Sequence, residues 1–290
     1  MAKMRIGAAF SESFAFLKAN WVQMMIWAGG ALLLLCAIGF VMLGSTFAAM
    51  AGGGGDPSAL FAAFGRIFLF ALVAGVVLYA ACMLIWRGGM HPGEAPNFGW
   101  ALQAGPAFAF GMFVVMVGAY IVLSIVGFIL LLIFGAVLGF GGDFSPTAFQ
   151  AGALGAGTIL LLALLYIGFL VFMLWVQARF SVAGPVMADR LTRNPVTGLA
   201  ESWKLTRASQ WRIVGFYLVF AIMAFVYALV VGTVFGGVMG AAAGDSMTGA
   251  LLMTVVSAVV IYLPLLMLSF SVPVGLYRAL VPHMPGDVFA

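Results

Sequence analysis

The sequence is poor in charge. Only 7% of its 290 residues are Asp, Glu, Lys or Arg, against about a quarter in an ordinary soluble domain, so a fully hydrated polar shell is excluded. It has two histidines, His91 and His283, and no carboxylate inside any long apolar run. An intramembrane protease needs a Ser–His pair, paired aspartates or a His-Glu-x-x-His zinc helix, and none of these can be assembled. His91 with Glu94 and His283 with Asp287 offer only two-ligand half-sites, short of the three or four ligands of a zinc centre. No catalytic residue, metal site or cofactor is expected. The only cysteines, Cys36 and Cys82, fall at different depths of neighbouring apolar runs, too far apart for a disulfide. The eighteen methionines are scattered, paired only at Met24–Met25 and at Met112 and Met116, as flexible packing residues are.

What the chain does have is apolar length. It is 65% hydrophobic with a mean hydropathy of +1.22. Apolar runs cover 21–51, 67–86, 107–142, 151–178, 213–244 and 249–277. Each meets or exceeds the roughly 20 residues that a helix needs to cross a ~30 Å hydrocarbon layer. Backbone amides in lipid must be satisfied within the segment, and the runs are too long and unalternating for barrel strands. The expected fold is all-α and polytopic: a single transmembrane domain of six spans with short interfacial helices. The first run is read as an uncleaved span, despite the signal-like "AAMA" at 48–51, because it is about twice the length of a signal core and a 20-residue segment precedes it. The run at 107–142 would be about 54 Å of helix, and one span rather than a hairpin keeps the charge pattern intact.

That pattern is one-sided. Lys3, Arg5 and Lys18, then Arg87, then Arg179, Arg190, Arg193, Lys204, Arg207 and Arg212, then Arg278 lie in every second inter-span segment and so fall on one side, making eleven of the twelve basic residues. The other side keeps Arg66, read as snorkelling to the headgroups, and the lone Asp56, Asp143 and Asp245. The positive-inside rule makes both termini cytoplasmic, and the Ala/Gly-rich composition suits a bacterial inner membrane.

Three stretches resemble one another: "IGAAFSESFAFLKANW" (6–21), "NFGWALQAGPAFAF" (97–110) and "VTGLAESWKLTRASQW" (196–211). Each precedes two spans, so the chain reads as helix–hairpin units at 1–93, 94–193 and 194–290, parallel repeats about an axis along the membrane normal. In the third, Asn194 suits an N-cap and Pro195 the first helical turn. Leu199 and Trp203 share a face, and Glu201 with Lys204 form an i, i+3 pair, which leaves Arg207 and Arg212 free. The result is a basic interfacial helix on the cytoplasmic surface. Arg179, Arg190, Arg193, Trp203, Lys204, Arg207, Trp211 and Arg212 are therefore the candidate residues for anionic headgroups or a protein partner. Nothing points to nucleic acid.

The segment "ARFSVAGPVMADRLTRNPVTGLAESWKLTRASQWRIVGFYLV" (178–219) resembles the signature of the glycerophosphoryl diester phosphodiesterase membrane-domain family, bacterial six-span proteins. The resemblance rests on Arg179, Pro185, Asp189, Ala200, Ser202–Trp203, Leu205–Thr206 and Trp211. It implies a six-span membrane module. Some members are fused to a soluble phosphodiesterase domain; the six spans here leave no length for one.

Within the membrane, Gly232, Gly236, Gly240 and Gly244 at four-residue spacing, with Gly135 and Gly139, mark close helix packing or self-association. Pro264 and Pro273 interrupt the last span, and Ser124, Thr158 and Ser257 are the main polar groups of the apolar runs, to be satisfied by back-bonding. Two readings result. The first is a non-enzymatic module that docks a partner or organises lipid through its basic amphipathic helices. The alternative is a transporter or channel for a lipid-like or small neutral solute. The topology is checked with fusions: a reporter that folds only in the cytoplasm is expected to be active at residue 290. A reporter that needs export is expected to be active after Asp143 and silent after Arg193.

Overall fold

The structure, a computed structural model, describes residues 4–51, 57–137, 156–243, 256 and 258–281. The helices are α1 (Ile6–Ala51), α2 (Pro57–Met90), α3 (Phe98–Val137), α4 (Ala156–Phe180), α5 (Ala183–Asp189), α6 (Pro195–Thr206), α7 (Gln210–Ala243) and α8 (Leu263–Leu280), the last preceded by a π-helical turn at Ala258–Tyr262. Six helical stretches are long and apolar enough to cross a membrane: Ile6–Thr46, Phe61–Met90, Phe98–Leu130, Leu162–Asp189, Gln210–Val234 and Val259–Leu280. The all-α, six-span architecture expected from the sequence is the one observed. Cys36 and Cys82 are free thiols. The long third run does not fold back on itself: α3 is continuous to Val137, and residues 138–142 lie outside the described residues.

Only one of the three amphipathic stretches forms a separate helix. The first is the start of α1, bent where Asn20 leaves helical geometry (φ −119°, ψ 16°). The Asn20 side-chain amide donates to Phe16 O at 2.9 Å, the carbonyl four residues back that a regular helix would bond through the backbone. The second runs without interruption into α3, with Pro106 inside the helix. The third is α6, ended by a turn at Arg207–Ser209 before α7 begins.

The chain divides into two compact units, Met1–Gly111 with Arg179–Ala290, and Met112–Ala178. The second consists of the outer parts of α3 and α4, where Tyr120 and Phe169 rings meet at 5.6 Å.

Within the first unit the same kind of contact is made three times. A Cβ on Gly275 of α8 would stand 2.5 Å from the Ser13 backbone N of α1. One on Gly105 of α3 would stand 2.6 Å from Ala80 N of α2. One on Gly198 of α6 would stand 2.6 Å from Met187 Cγ and 3.0 Å from Ala183 O of α5. In each case a small residue of an amphipathic stretch meets the end of an even-numbered span or, for α6, the helix continuing it. Each stretch also meets the span that follows another: Ile6 lies 3.5 Å from a Cβ on Gly215, Leu199 3.4 Å from one on Gly111, and Trp27 and Phe98 rings are 5.2 Å apart. The buried small residues Ala9 and Ser13, Ala101 and Gly105, and Gly198 and Ser202 are each four apart, the spacing that lets helix backbones approach in lipid.

These close approaches lie at the basic ends of the spans, whereas the glycine stripes were expected to pack at the opposite ends. Gly232 meets no heavy atom of the described residues within 4 Å of its Cβ position. Gly139 and Gly244 lie outside the described residues, and the side-chain environments of Gly135, Gly236 and Gly240 are likewise undescribed. Arg66, expected at the headgroups, donates through Nη1 to Ser45 Oγ at 2.6 Å and joins α1 to α2. A Gly275→Ala or Gly105→Ala change forces backbone against backbone and is expected to cost about 1–3 kcal/mol. Gly75→Ala, which meets nothing within 4 Å, is the neutral control. Thermal unfolding in detergent reads the difference.

Candidate docking site at the basic face

The fourth span ends in an unexpected way. Residues 183–189, read from sequence as loop, form the helix α5, in which Ala183, Gly184, Pro185, Val186, Met187 and Ala188 are all buried. The segment is apolar enough to pack and too short to span, so it lodges among the ends of neighbouring helices. Gly184 abuts the Trp86 ring so closely that any Cβ would collide with it. Trp86 Nε1 in turn donates to Phe270 O at 2.7 Å in α8.

Asp189, the last residue of α5, is where these ends meet. The Tyr277 hydroxyl of α8 donates to Asp189 Oδ2 at 2.9 Å, and His91 Nε2, just beyond α2, lies 2.9 Å from Asp189 Oδ1. The Arg87 guanidinium donates to Asp189 O at 2.7 Å and Ala188 O at 3.2 Å, carbonyls that a helix C-terminus leaves without partners. It also binds Glu94, with Nε at 2.8 Å from Oε2. Arg278 likewise donates to Gly89 O at 3.2 Å, at the end of α2. His91, Glu94 and Asp189 are near neighbours, yet among the described residues no three His, Cys, Asp or Glu are placed to hold a metal. Sequence reasoning noted His91 and Asp189 but missed their meeting and the role of Tyr277. The signal was the "Tyr-Arg" of 277–278 at the end of the last span, matching "Trp-Arg" at 86–87.

The basic segment sorts into structural and free cations. Arg179 is only 5% exposed; its guanidinium lies over the Trp203 ring at 3.9 Å from the centroid. Its carbonyl accepts from Ser202 Oγ at 2.8 Å and from Thr206 Oγ1 at 3.2 Å. Arg179 therefore ties the fourth span to α6 and is withdrawn from headgroups. Glu201 pairs with Arg190 rather than with Lys204, as expected from spacing, because the chain turn brings α5 and α6 side by side. Arg212, expected free, donates through Nη1 to Met4 O at 2.8 Å, while Met4 N donates to Ser209 Oγ at 3.1 Å. The cap forms as expected: Asn194 Oδ1 accepts from Val196 N at 3.0 Å and Pro195 opens α6.

Four candidates remain at the surface without such a tie. Arg193, Lys204 and Arg207 are exposed and form no ion pair among the described residues. Trp211 is 63% exposed. Trp203, with Arg179 over its ring, is still 38% exposed. Small residues of α6 (Gly198, Ser202, Thr206) face inward and the long cations face outward, so the helix is amphipathic in size and charge. Exposed cations beside aromatic rings are chemically suited to anions.

No family model, curated protein or solved structure matches the chain. Of the residues that carry the resemblance at 178–219, Arg179, Ser202, Trp203 and Thr206 form one contact set, and Asp189 is the centre of the other.

Hydrogen bonds to a charged group are worth about 1.5–3 kcal/mol each. Tyr277→Phe is expected to cost about that much in thermal unfolding, and to cost much less when Asp189 is already Asn. Equal cost in both backgrounds contradicts the assigned contact.

Proposed function

We propose that this chain is a non-enzymatic module of a bacterial inner membrane that gathers anionic lipid headgroups at its cytoplasmic face. The observation that carries the reading is the division among the cations. Arg87, Arg179, Arg190, Arg212 and Arg278 are spent on internal contacts, whereas Arg193, Lys204 and Arg207 stay exposed beside Trp203 and Trp211. Exposed cations with interfacial tryptophans are what an anionic leaflet selects, at about 1 kcal/mol per basic residue near the surface. The recurring contacts of the amphipathic stretches support reading the chain as three helix–hairpin units, at 1–93, 94–193 and 194–290. The residues at 178–219 agree with membership of the phosphodiesterase membrane-domain family without lending this chain that enzyme's activity.

The transporter alternative needs a polar, broken-helix region open to solute. Pro264 has no N–H to bond Val260 O, and that carbonyl accepts instead from the Tyr227 hydroxyl at 3.1 Å. Near Pro273, Phe270 O accepts from Trp86. A protein side chain occupies the break at Pro264, which favours the docking reading.

Native mass spectrometry of gently extracted protein tests it. The wild type is expected to retain anionic phospholipid. The triple variant Arg193→Ala/Lys204→Ala/Arg207→Ala is expected to lose about a hundredfold in apparent lipid affinity, from about 1 kcal/mol per charge. A lipid-free wild type, or one carrying a stoichiometric protein or solute instead, contradicts the proposal.

A further inference from the structure

The turn joining α5 to α6 holds a residue in an unfavourable conformation. Leu191 has φ 50°, alone among the described non-glycine residues in being positive. Arg190 N donates to Val186 O at 3.2 Å and Thr192 N to Met187 O at 3.1 Å. The second bond, reaching five residues back, is the closure of a Schellman cap, and it places Leu191 at the position usually taken by glycine. A bulky L-residue in the left-handed region is strained, and such strain persists where something else rewards the side chain. Burial within the protein does not reward it, because Leu191 is 42% exposed.

Its surroundings indicate what does. Exposed Arg190 and Arg193 flank the leucine in the turn. Pro195, four residues on, rests on Gly111 of α3, 2.9 Å from its Cβ position. Gly111 lies four residues into the apolar run that begins at 107. The turn is thus packed on the first half of the stretch of α3 that is long and apolar enough to cross a membrane, Phe98–Leu130. An aliphatic side chain at that level, between cations, fits an anionic leaflet on chemical grounds: the leucine reaches acyl carbons while Arg193 meets phosphate.

We propose that Leu191 is a membrane-inserting residue that seats the basic face in an anionic leaflet. This rests on the headgroup-gathering reading and adds the apolar contact to it. Leu191→Gly removes strain and side chain together, so two readouts move in opposite directions. The thermal midpoint in detergent is expected to rise, which also shows that the variant folds. Retention of phosphatidylglycerol in native mass spectrometry is expected to fall about tenfold, as removing a lipid-buried leucine side chain implies. In nanodiscs of phosphatidylcholine with phosphatidylglycerol, a spin label at Leu191→Cys, with Cys36 and Cys82 replaced by Ala, is expected to be relaxed by oxygen rather than by a water-soluble nickel chelate. The same label at Ala95→Cys, on an exposed loop, is expected to show the reverse. Unchanged lipid retention in Leu191→Gly, or a label at 191 as open to nickel as that at 95, overturns the proposal. If that happens while the Arg193/Lys204/Arg207 triple variant still sheds its lipid, only the role of Leu191 fails. If the triple variant keeps its lipid, the headgroup reading fails and takes this proposal with it.

Discussion

The Asp189 carboxylate is the one acceptor on which the basic face depends. It receives the Tyr277 hydroxyl from α8 on one oxygen and faces His91 from the end of α2 on the other. The backbone carbonyl of the same residue is held by Arg87. Three spans therefore end at one residue. The hydrophobic effect cannot make this junction, because apolar helices in lipid gain nothing by leaving lipid for one another. Packing of small residues and polar bonds must do it. The close approaches at Gly105, Gly198 and Gly275 bring the helix ends within range, and the polar network around Asp189 fixes their register.

This internal demand explains the distribution of charge. Helix C-termini leave carbonyls without partners, and at a packed membrane face arginines from neighbouring elements supply them: Arg87 at the end of α5, Arg278 at the end of α2. These arginines therefore serve as a set of caps. What remains after capping, at Arg193, Lys204 and Arg207, faces outward and forms the surface available to lipid. The last span shows the same economy at Pro264, whose orphaned acceptor, Val260 O, is taken up by Tyr227 instead of being left to a solute.

The spans, their number and the cap at Asn194–Pro195 were legible in the sequence, because each depends on local composition or spacing alone. The candidate site was legible only in outline. Lys204, Arg207, Arg193 and Trp211 could be picked out as an exposed basic and aromatic surface, since no ion pair among the described residues claims the three cations. Arg179 and Arg212 could not be separated from them, because both are withdrawn by residues distant in sequence, Trp203 and Met4. The expected Glu201–Lys204 pair failed for the same reason: spacing along one helix says nothing of Arg190, which the α5–α6 turn brings across. The buried helix α5 was hidden because seven residues are too few for a periodicity to show. The close approaches at Gly105, Gly198 and Gly275 were not legible, because each glycine stands singly and only the partner element identifies it.

The most direct test of the account is a cryo-electron microscopy map of the protein in nanodiscs of its own membrane lipids. The account predicts headgroup density against Lys204 and Arg207, and only side-chain density where Tyr227 meets Val260 O and Trp86 meets Phe270 O. Bare Lys204 and Arg207 side chains, with a non-protein molecule seated at either helix break, would contradict it and make solute passage the better explanation.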